Sequence, residues 1–284
     1  MHSIESSQIR GNHNWLKSLI SFWGSLLLIL QTISAFACLL AVTSATYLLN
    51  DIADLNTDRQ HWSKRYRALA SGKLSIRAGF MLAGGLLVGG FFFATLLSLQ
   101  FTLALLAYLV ITGAYSLGLK RVPLLDTLII GILFTTRLIM GTVLLESSKP
   151  AWLLTFAVFL FFSLAVAKRH TEIVRAATSG SLSLKSRGYE IEDAPLTLSL
   201  GIGAALASLV VLMIFVLQEM LPGKAYSSPQ FLGGIPIMLS IWLGRIWLLA
   251  HRGKMNDDPV SFAIRDRISA GLGVVVAILF LVAL

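Results

Sequence analysis

Long apolar segments separated by short polar connections fill almost the whole chain. Nine of them approach the roughly 20 residues that an α-helix needs to cross the hydrocarbon core of a bilayer, the first and last being short. Because backbone polar groups in lipid must be satisfied within the segment, such segments form helices. The pattern predicts an all-α fold, a polytopic bundle of nine transmembrane helices. The predicted spans are 16–30, 33–49, 76–99, 101–117, 124–145, 152–167, 196–217, 231–249 and 268–284.

Composition supports this prediction. Hydrophobic residues make up 56% of the 284 residues and charged residues only 13%, whereas roughly a quarter of the residues in a soluble domain are charged. This excludes an ordinary soluble domain and predicts an integral membrane protein. No linker or low-complexity tract divides the chain, so we expect one domain over residues 1–284. The pair Gly85 and Gly89 predicts close packing between helices, since small residues four apart let backbones approach in lipid.

The net charge of +9 is distributed unevenly over the connections. If the amino terminus is cytoplasmic, 19 of the 23 Lys and Arg residues lie on the cytoplasmic side. Cytoplasmic connections of membrane proteins carry such an excess of positive charge. We therefore expect the amino terminus and the polar connections of this side to face the cytoplasm. Little of the charge is left to indicate binding of nucleic acid.

An acidic cluster follows the second apolar segment. It comprises Asn50, Asp51, Asp54 and Asp58, and on a helix the three carboxylates share one face. Carboxylates suit Mg²⁺, which is usually held by one or two of them together with waters and substrate phosphate oxygens. The pattern predicts a Mg²⁺ site with Asp51, Asp54 and Asp58 as ligands. Asn50 either completes this site through its amide or caps the local backbone. The alternative is a group of solvated carboxylates, but three anions at a helix carboxy terminus require a compensating cation.

A basic run comes directly after the carboxylates. Lys64, Arg65 and Arg67 could attract anionic lipid headgroups. Their proximity to the carboxylates favours a phosphate site instead, because a metal ion and basic side chains together stabilise a leaving diphosphate.

A second polar group ends the sixth apolar segment, at Lys168, Arg169 and Glu172. By spacing alone this group is a salt bridge at a helix end. Its predicted location on the cytoplasmic side, like that of the aspartates, allows both groups to contribute to one site.

Further polar residues lie near the fourth and fifth segments. Asp126 and Arg137 are three helical turns apart and face the same way, and an arginine inside the membrane requires a polar cavity or a partner. We expect a structural partner or a ligand for Arg137. Tyr115 and Lys120, at the end of the fourth segment, are expected at the same cytoplasmic mouth as Asp126.

These motifs together resemble the UbiA-type intramembrane prenyltransferase superfamily, over almost the whole chain. The first aspartate motif of that superfamily is similar to Asn50-Asp51-x-x-Asp54-x-x-x-Asp58. The other similar segments are residues 61–72 (HWSKRYRALASG), Tyr115-Ser-x-Gly-Leu-Lys120, Arg137-x-x-x-Gly141 and Arg265-Asp266-Arg267. The resemblance implies nine helices around a central cavity that opens to the cytoplasm, with Mg²⁺ at its mouth and an isoprenoid chain in the membrane. It also implies a location in the bacterial inner membrane.

The chain departs from the aromatic prenyltransferases of this superfamily at one motif. These enzymes carry a second motif, Asp-x-x-x-Asp, after the sixth helix, where this sequence has Lys168-Arg169-x-x-Glu172. The replacement is similar to the decaprenyl-phosphate phosphoribosyltransferases, which transfer phosphoribose from phosphoribosyl diphosphate to a polyprenyl phosphate. By this resemblance Asp54, Asp58, Lys64 and Lys168 are catalytic. Asn50, Arg65, Arg67, Tyr115, Lys120, Arg137, Arg169 and Glu172 bind substrate.

Two alternatives remain open from the sequence. One is transfer of a prenyl group from a polyprenyl diphosphate to an aromatic or other small acceptor, for which no proton acceptor stands out. The other is a membrane transporter with Asp126 and Arg137 lining a pathway.

Overall fold

The computed structural model describes residues 2–60, 64–144, 151–180, 183–184, 187–222, 226–255 and 259–284. These residues are almost entirely helical, which confirms the predicted all-α class. One two-stranded antiparallel ladder pairs Ser183 with Glu190 and Leu184 with Tyr189. The elements are α1 (His2–Ala53), α2 (Leu55–Gln60), α3 (Ile76–Leu97), α4 (Leu99–Leu117), α5 (Leu125–Leu144), α6 (Ala151–Thr178), β1 (Ser183–Leu184), β2 (Tyr189–Glu190), α7 (Ala194–Phe215), α8 (Gly234–His251), α9 (Pro259–Arg265) and α10 (Arg267–Ala283).

Within the described residues, seven helices are long and apolar enough to cross a membrane. The polytopic fold is therefore confirmed, but the count of nine spans is not. The segments predicted as the first and second spans form one continuous helix, α1, because no glycine or proline interrupts the backbone hydrogen bonds between them. Thr32 lies at this junction and bonds back to the Leu28 carbonyl within the helix, at 2.8 Å. The last predicted span is the shorter apolar helix α10.

The chain forms two compact units. The first comprises residues 1–110 and 140–147, and the second comprises residues 111–139 and 148–284. The single domain and the central cavity expected from the sequence stay predictions.

The first unit is organised by close packing of α1 against α3. Added Cβ atoms would lie 3.1 Å from Val42 of α1 at Gly90 and 3.3 Å from Ile52 of α1 at Gly79. The predicted pair Gly85 and Gly89 makes no such approach, since nothing lies within 4 Å of either Cβ position. Both glycines instead line an apolar groove of about 490 Å³ between the two helices. Close packing is thus present on α3, but on another face.

The second unit is held by a polar relay among α6, α7 and α8. The Trp247 indole N–H donates to the Ser163 hydroxyl at 3.1 Å, and that hydroxyl donates to the Gly201 carbonyl at 2.8 Å. A Cβ atom at Gly201 would lie only 2.1 Å from the Trp247 ring. Glycine is therefore required at this position for Trp247 to reach its hydrogen-bond partner.

An ion pair connects α8 to the start of α10. Arg245 lies 2.8 Å from Asp266, and Asp266 caps α10 by accepting from the Ser269 N–H at 2.9 Å. The hydrogen bond from Arg245, followed by those from Ser269, lowers the pKa of Asp266 to about 2. Its carboxylate is consequently charged at neutral pH and compensates the amino-terminal end of α10.

We expect Gly201→Ala to lower the free energy of unfolding by about 1–3 kcal/mol, because the added methyl group overpacks against Trp247. Equilibrium unfolding in detergent micelles measures this loss. Gly203→Ala on the same helix is the matched control, since nothing lies within 4 Å of its Cβ position. Equal losses in the two variants would contradict the packing argument.

The pKa of Asp266 also predicts a pH dependence. A carboxyl whose pKa is lower in the folded than in the unfolded state stabilises the fold above its unfolded pKa. That stabilisation is lost as the pH falls from about 4 to about 2. Asp266→Asn retains a capping oxygen but carries no charge. The difference in melting temperature between the wild type and this variant should be largest above pH 4 and should shrink towards pH 2; a constant difference would contradict the assignment.

Candidate functional site

The acidic cluster of the first unit lies where α1 ends and α2 begins. Backbone hydrogen bonds continue through the junction, from the Asp54 N–H to the Asn50 carbonyl at 2.9 Å and from the Asp58 N–H to the Asp54 carbonyl at 2.9 Å. The helical spacing expected from the sequence is therefore maintained. The Asn50 amide donates to the Asp54 carboxylate at 3.2 Å, so that these two side chains lie together.

Arg67 bridges the other two carboxylates. One nitrogen of its guanidinium lies 2.8 Å from Asp51 and 2.8 Å from Asp58. The Asp58 side chain is only 2% exposed, and a buried carboxylate requires a cation because desolvation disfavours its charge. Arg67 supplies that cation. The structure thus places Arg67, predicted to bind substrate, directly on two of the predicted metal ligands.

The donor set at this end of α1 suits Mg²⁺ chemically. Carboxylate and amide oxygens are the ligands that hard cations prefer, and oxygens of Asp51 and Asp58 converge on one cationic nitrogen. In the described part of the chain, however, no three side chains of Asp, Glu, His or Cys lie close enough together to hold a metal ion. A Mg²⁺ ion held by these carboxylates would therefore have to share them with the guanidinium or displace it.

Of the other two basic residues in this region, the structure describes the side chain of Arg65 and only the backbone of Lys64. The Arg65 guanidinium donates to the Tyr66 hydroxyl at 2.8 Å and lies 4.9 Å from the Tyr66 ring centroid. Lys64 begins a short 3₁₀ turn that extends to Tyr66. Its side chain, and residues 61–63 of the family-like segment, lie outside the described residues.

A buried ion pair is the centre of the second unit. The Arg169 guanidinium on α6 donates to Asp126 on α5 at 2.6 Å, and the two side chains are 3% and 0% exposed. Arg169 also pairs with Glu172 one turn further along α6, as the spacing predicted. The sequence named no partner for Asp126, and the structure pairs it with Arg169. Arg137 instead stacks on Phe134, 4.7 Å from the ring centroid.

Tyr189 completes this cluster from strand β2. Its hydroxyl donates to Asp126 at 2.7 Å and accepts the Leu124 N–H at 2.8 Å. Burial raises the pKa of Tyr189, so that the hydroxyl stays protonated and able to donate at neutral pH. Sequence reasoning did not assign Tyr189. The available signal was an intramembrane aspartate, whose charge requires donors, but the sequence does not say which donors reach it.

Further candidates surround this cluster within the second unit. The Arg187 guanidinium donates to the Tyr115 hydroxyl at 2.8 Å and lies 5.9 Å from the Tyr115 ring centroid. Lys168 precedes Arg169 on α6 and is partly exposed, and Lys120 lies in a short 3₁₀ turn after α4. The structure thus groups Tyr115, Asp126, Arg169, Glu172, Arg187 and Tyr189 in the second unit, and Asn50, Asp51, Asp54, Asp58 and Arg67 in the first.

Comparison with known proteins places this arrangement in a family. A solved structure of digeranylgeranylglyceryl phosphate synthase superimposes with a TM-score of 0.61 over 90% of this chain and 86% of that chain, at 16% identity. This likeness shows a shared fold.

Relatives in sequence include uncharacterized protein y4nM of Sinorhizobium fredii, 41% identical over 96% of this chain and 54% of that protein. This chain therefore spans about half the length of that relative. Nodulation protein NoeC of Azorhizobium caulinodans is 30% identical, over 95% of this chain and 90% of that protein. Decaprenyl-phosphate phosphoribosyltransferase of Mycobacterium tuberculosis is 27% identical, over 82% of this chain and 75% of that protein.

The sequence profile of the UbiA prenyltransferase family matches residues 17–265. This match includes the acidic cluster, the buried ion pair and seven helices of membrane-spanning length. The chain is an integral membrane protein that belongs to the UbiA prenyltransferase family of transferases.

Proposed function

We propose that this protein transfers 5-phosphoribose from phosphoribosyl diphosphate to a polyprenyl phosphate in a Mg²⁺-dependent reaction. The observation that carries the proposal is the sequence Lys168-Arg169-x-x-Glu172 in the carboxy-terminal half of α6, at the motif where aromatic prenyltransferases of the family carry two aspartates. A cation at this position, Lys168, suits a donor that bears a 5-phosphate in addition to its diphosphate. The likeness to decaprenyl-phosphate phosphoribosyltransferases supports the same donor.

In this reaction the bond between C1 of the ribose and the diphosphate oxygen breaks, and diphosphate leaves. A new bond forms between C1 and an oxygen of the lipid phosphate. Because the acceptor is already an oxyanion, no general base is required. This agrees with the sequence, in which no proton acceptor stands out.

The roles of the chain's own residues follow from charge. Asp51, Asp54 and Asp58 would hold Mg²⁺ with Asn50, and the ion would supply charge stabilisation to the leaving diphosphate. Lys64, Arg65 and Lys168 neutralise the diphosphate as its charge develops, which acts mainly on the transition state. Tyr115, Lys120 and Arg137 contact substrate. We place the active site at the cytoplasmic surface, because the excess of Lys and Arg is on that side.

Arg169 and Glu172 have a different part in this proposal. The Arg169 guanidinium already bonds Asp126 and Glu172, so that little of its charge is available for a substrate phosphate. We assign it a structural role, in which it positions the neighbouring Lys168 on α6. Arg67, which bonds Asp51 and Asp58, likewise positions the carboxylates.

A second candidate function is prenyl transfer from a polyprenyl diphosphate to a small acceptor. It is favoured by the name of the family whose profile matches. The choice of donor distinguishes the two reactions, since only the first consumes phosphoribosyl diphosphate.

Purified protein in detergent, given Mg²⁺ and labelled polyprenyl phosphate, should form lipid-linked phosphoribose from phosphoribosyl diphosphate. Asp58→Asn should lower the rate by at least about 100-fold, because the loss of one carboxylate weakens both the metal site and the ion pair with Arg67. Glu219→Gln, an exposed acid beyond α7, is the matched control and should keep the wild-type rate. A product formed only from a prenyl diphosphate and an aromatic acid would establish the second candidate instead.

The structural assignment of Arg169 predicts a stability effect. Asp126→Asn should lower the free energy of unfolding by about 3 kcal/mol, because a buried guanidinium loses a fully buried anionic partner. Glu172→Gln should cost less, since the Glu172 side chain is 31% exposed. Equilibrium unfolding in mixed micelles compares the two variants. A larger loss for Glu172→Gln would contradict the assignment.

A further inference from the structure

We propose that Arg187 binds a phosphate group of the donor, and that Tyr189 and Tyr115 position it for this purpose. That the phosphate belongs to phosphoribosyl diphosphate rests on the proposed function. Arg187 lies just before strand β2, next to the buried ion pair of the second unit.

The first argument concerns which arginines have charge available for an anion. The Arg169 guanidinium bonds two carboxylates, Asp126 and Glu172. Arg187 is partly exposed, and among the residues that the structure describes no carboxylate lies within ion-pair distance of its guanidinium. Its positive charge is therefore compensated by no neighbouring anion of the described chain. A phosphate oxygen would provide that compensation.

The second argument concerns hydrogen-bond donors. Arg187 uses one N–H to donate to the Tyr115 hydroxyl at 2.8 Å. Because the Tyr115 oxygen accepts that bond, its own hydrogen is left to donate. The guanidinium fork and the phenol together present several donors from one place, which suits the several acceptor oxygens of a phosphate.

The third argument concerns how firmly this arrangement is held. Tyr189 lies two residues after Arg187 and bonds both Asp126 and the Leu124 N–H. Gly188 has a φ of 71° and lies against the connection between α4 and α5. A Cβ atom at this position would lie 2.5 Å from the Arg121 carbonyl oxygen. Leu124 itself adopts φ 63°, a strained conformation for a residue with a side chain. These two residues with positive φ, Gly188 and Leu124, thus lie in the segments that place Arg187.

Binding of two probes tests the inference on the purified full chain in detergent with Mg²⁺. Inorganic diphosphate represents the leaving group and ribose 5-phosphate represents the other end of the donor. Arg187→Ala should weaken binding of one probe about tenfold or more, and the affected probe identifies the phosphate that Arg187 contacts. Arg187→Lys should recover part of the affinity. Arg252→Ala, an exposed arginine at the end of α8, should bind both probes as the wild type does.

Tyr189→Phe tests the positioning step. It removes both hydrogen bonds of the hydroxyl and should weaken binding of the same probe. The double variant with Arg187→Ala should bind that probe no more weakly than Arg187→Ala alone. In transfer assays both single variants should raise KM for the donor more than they lower kcat. Melting temperatures show that each variant is folded.

The outcomes separate this inference from the proposed function. Wild-type affinity of Arg187→Ala for both probes, or additive effects in the double variant, would overturn the inference. Transfer of phosphoribose by a wild type that binds neither probe would also overturn it while leaving the proposed function intact. Weakened diphosphate binding by Arg187→Ala, in a protein that transfers no phosphoribose, would support the inference and reject the proposed donor.

Discussion

The contact between Asp126 and Arg169 is the interaction on which the polar part of the second unit depends. Both side chains are almost fully buried, and an uncompensated charge in an apolar environment is strongly unfavourable. The carboxylate therefore attracts every donor within reach, and the Tyr189 hydroxyl becomes its second partner. Helices α5 and α6 and strand β2 meet at this one aspartate because its charge has to be satisfied there.

The same requirement organises the acidic cluster of the first unit. Asp58 is nearly inaccessible, and Arg67 compensates both it and Asp51. In each unit an arginine neutralises carboxylates of its own unit, which removes it from the set of residues available to a phosphate. Arg187 differs from both, because no carboxylate of the described residues lies within ion-pair distance of its guanidinium.

Much of the candidate site could be predicted from the sequence, because its spacing is local. Asp51, Asp54 and Asp58 follow one another at helical intervals, and Arg169 and Glu172 are one turn apart, so that a helix brings each set together wherever it lies. Partners separated by long stretches of chain were not predictable. Asp126 has no partner that the sequence indicates, and only the packing of α5 on α6 brings Arg169 to it. Tyr189 belongs to no motif that would indicate its role, since any hydroxyl within reach of Asp126 could bond the carboxylate.

By itself, the sequence determined that the protein is helical and lies in a membrane, because apolar segments of this length form helices that cross a bilayer. It also indicated several polar residues that are unusual in so apolar a chain. Only the tertiary structure decided that α1 is continuous, that Gly79 and Gly90 rather than Gly85 and Gly89 form the close contact, and which arginines are already neutralised. These features depend on which faces of the helices meet, and hydrophobicity that is nearly uniform around each helix carries little information about that choice.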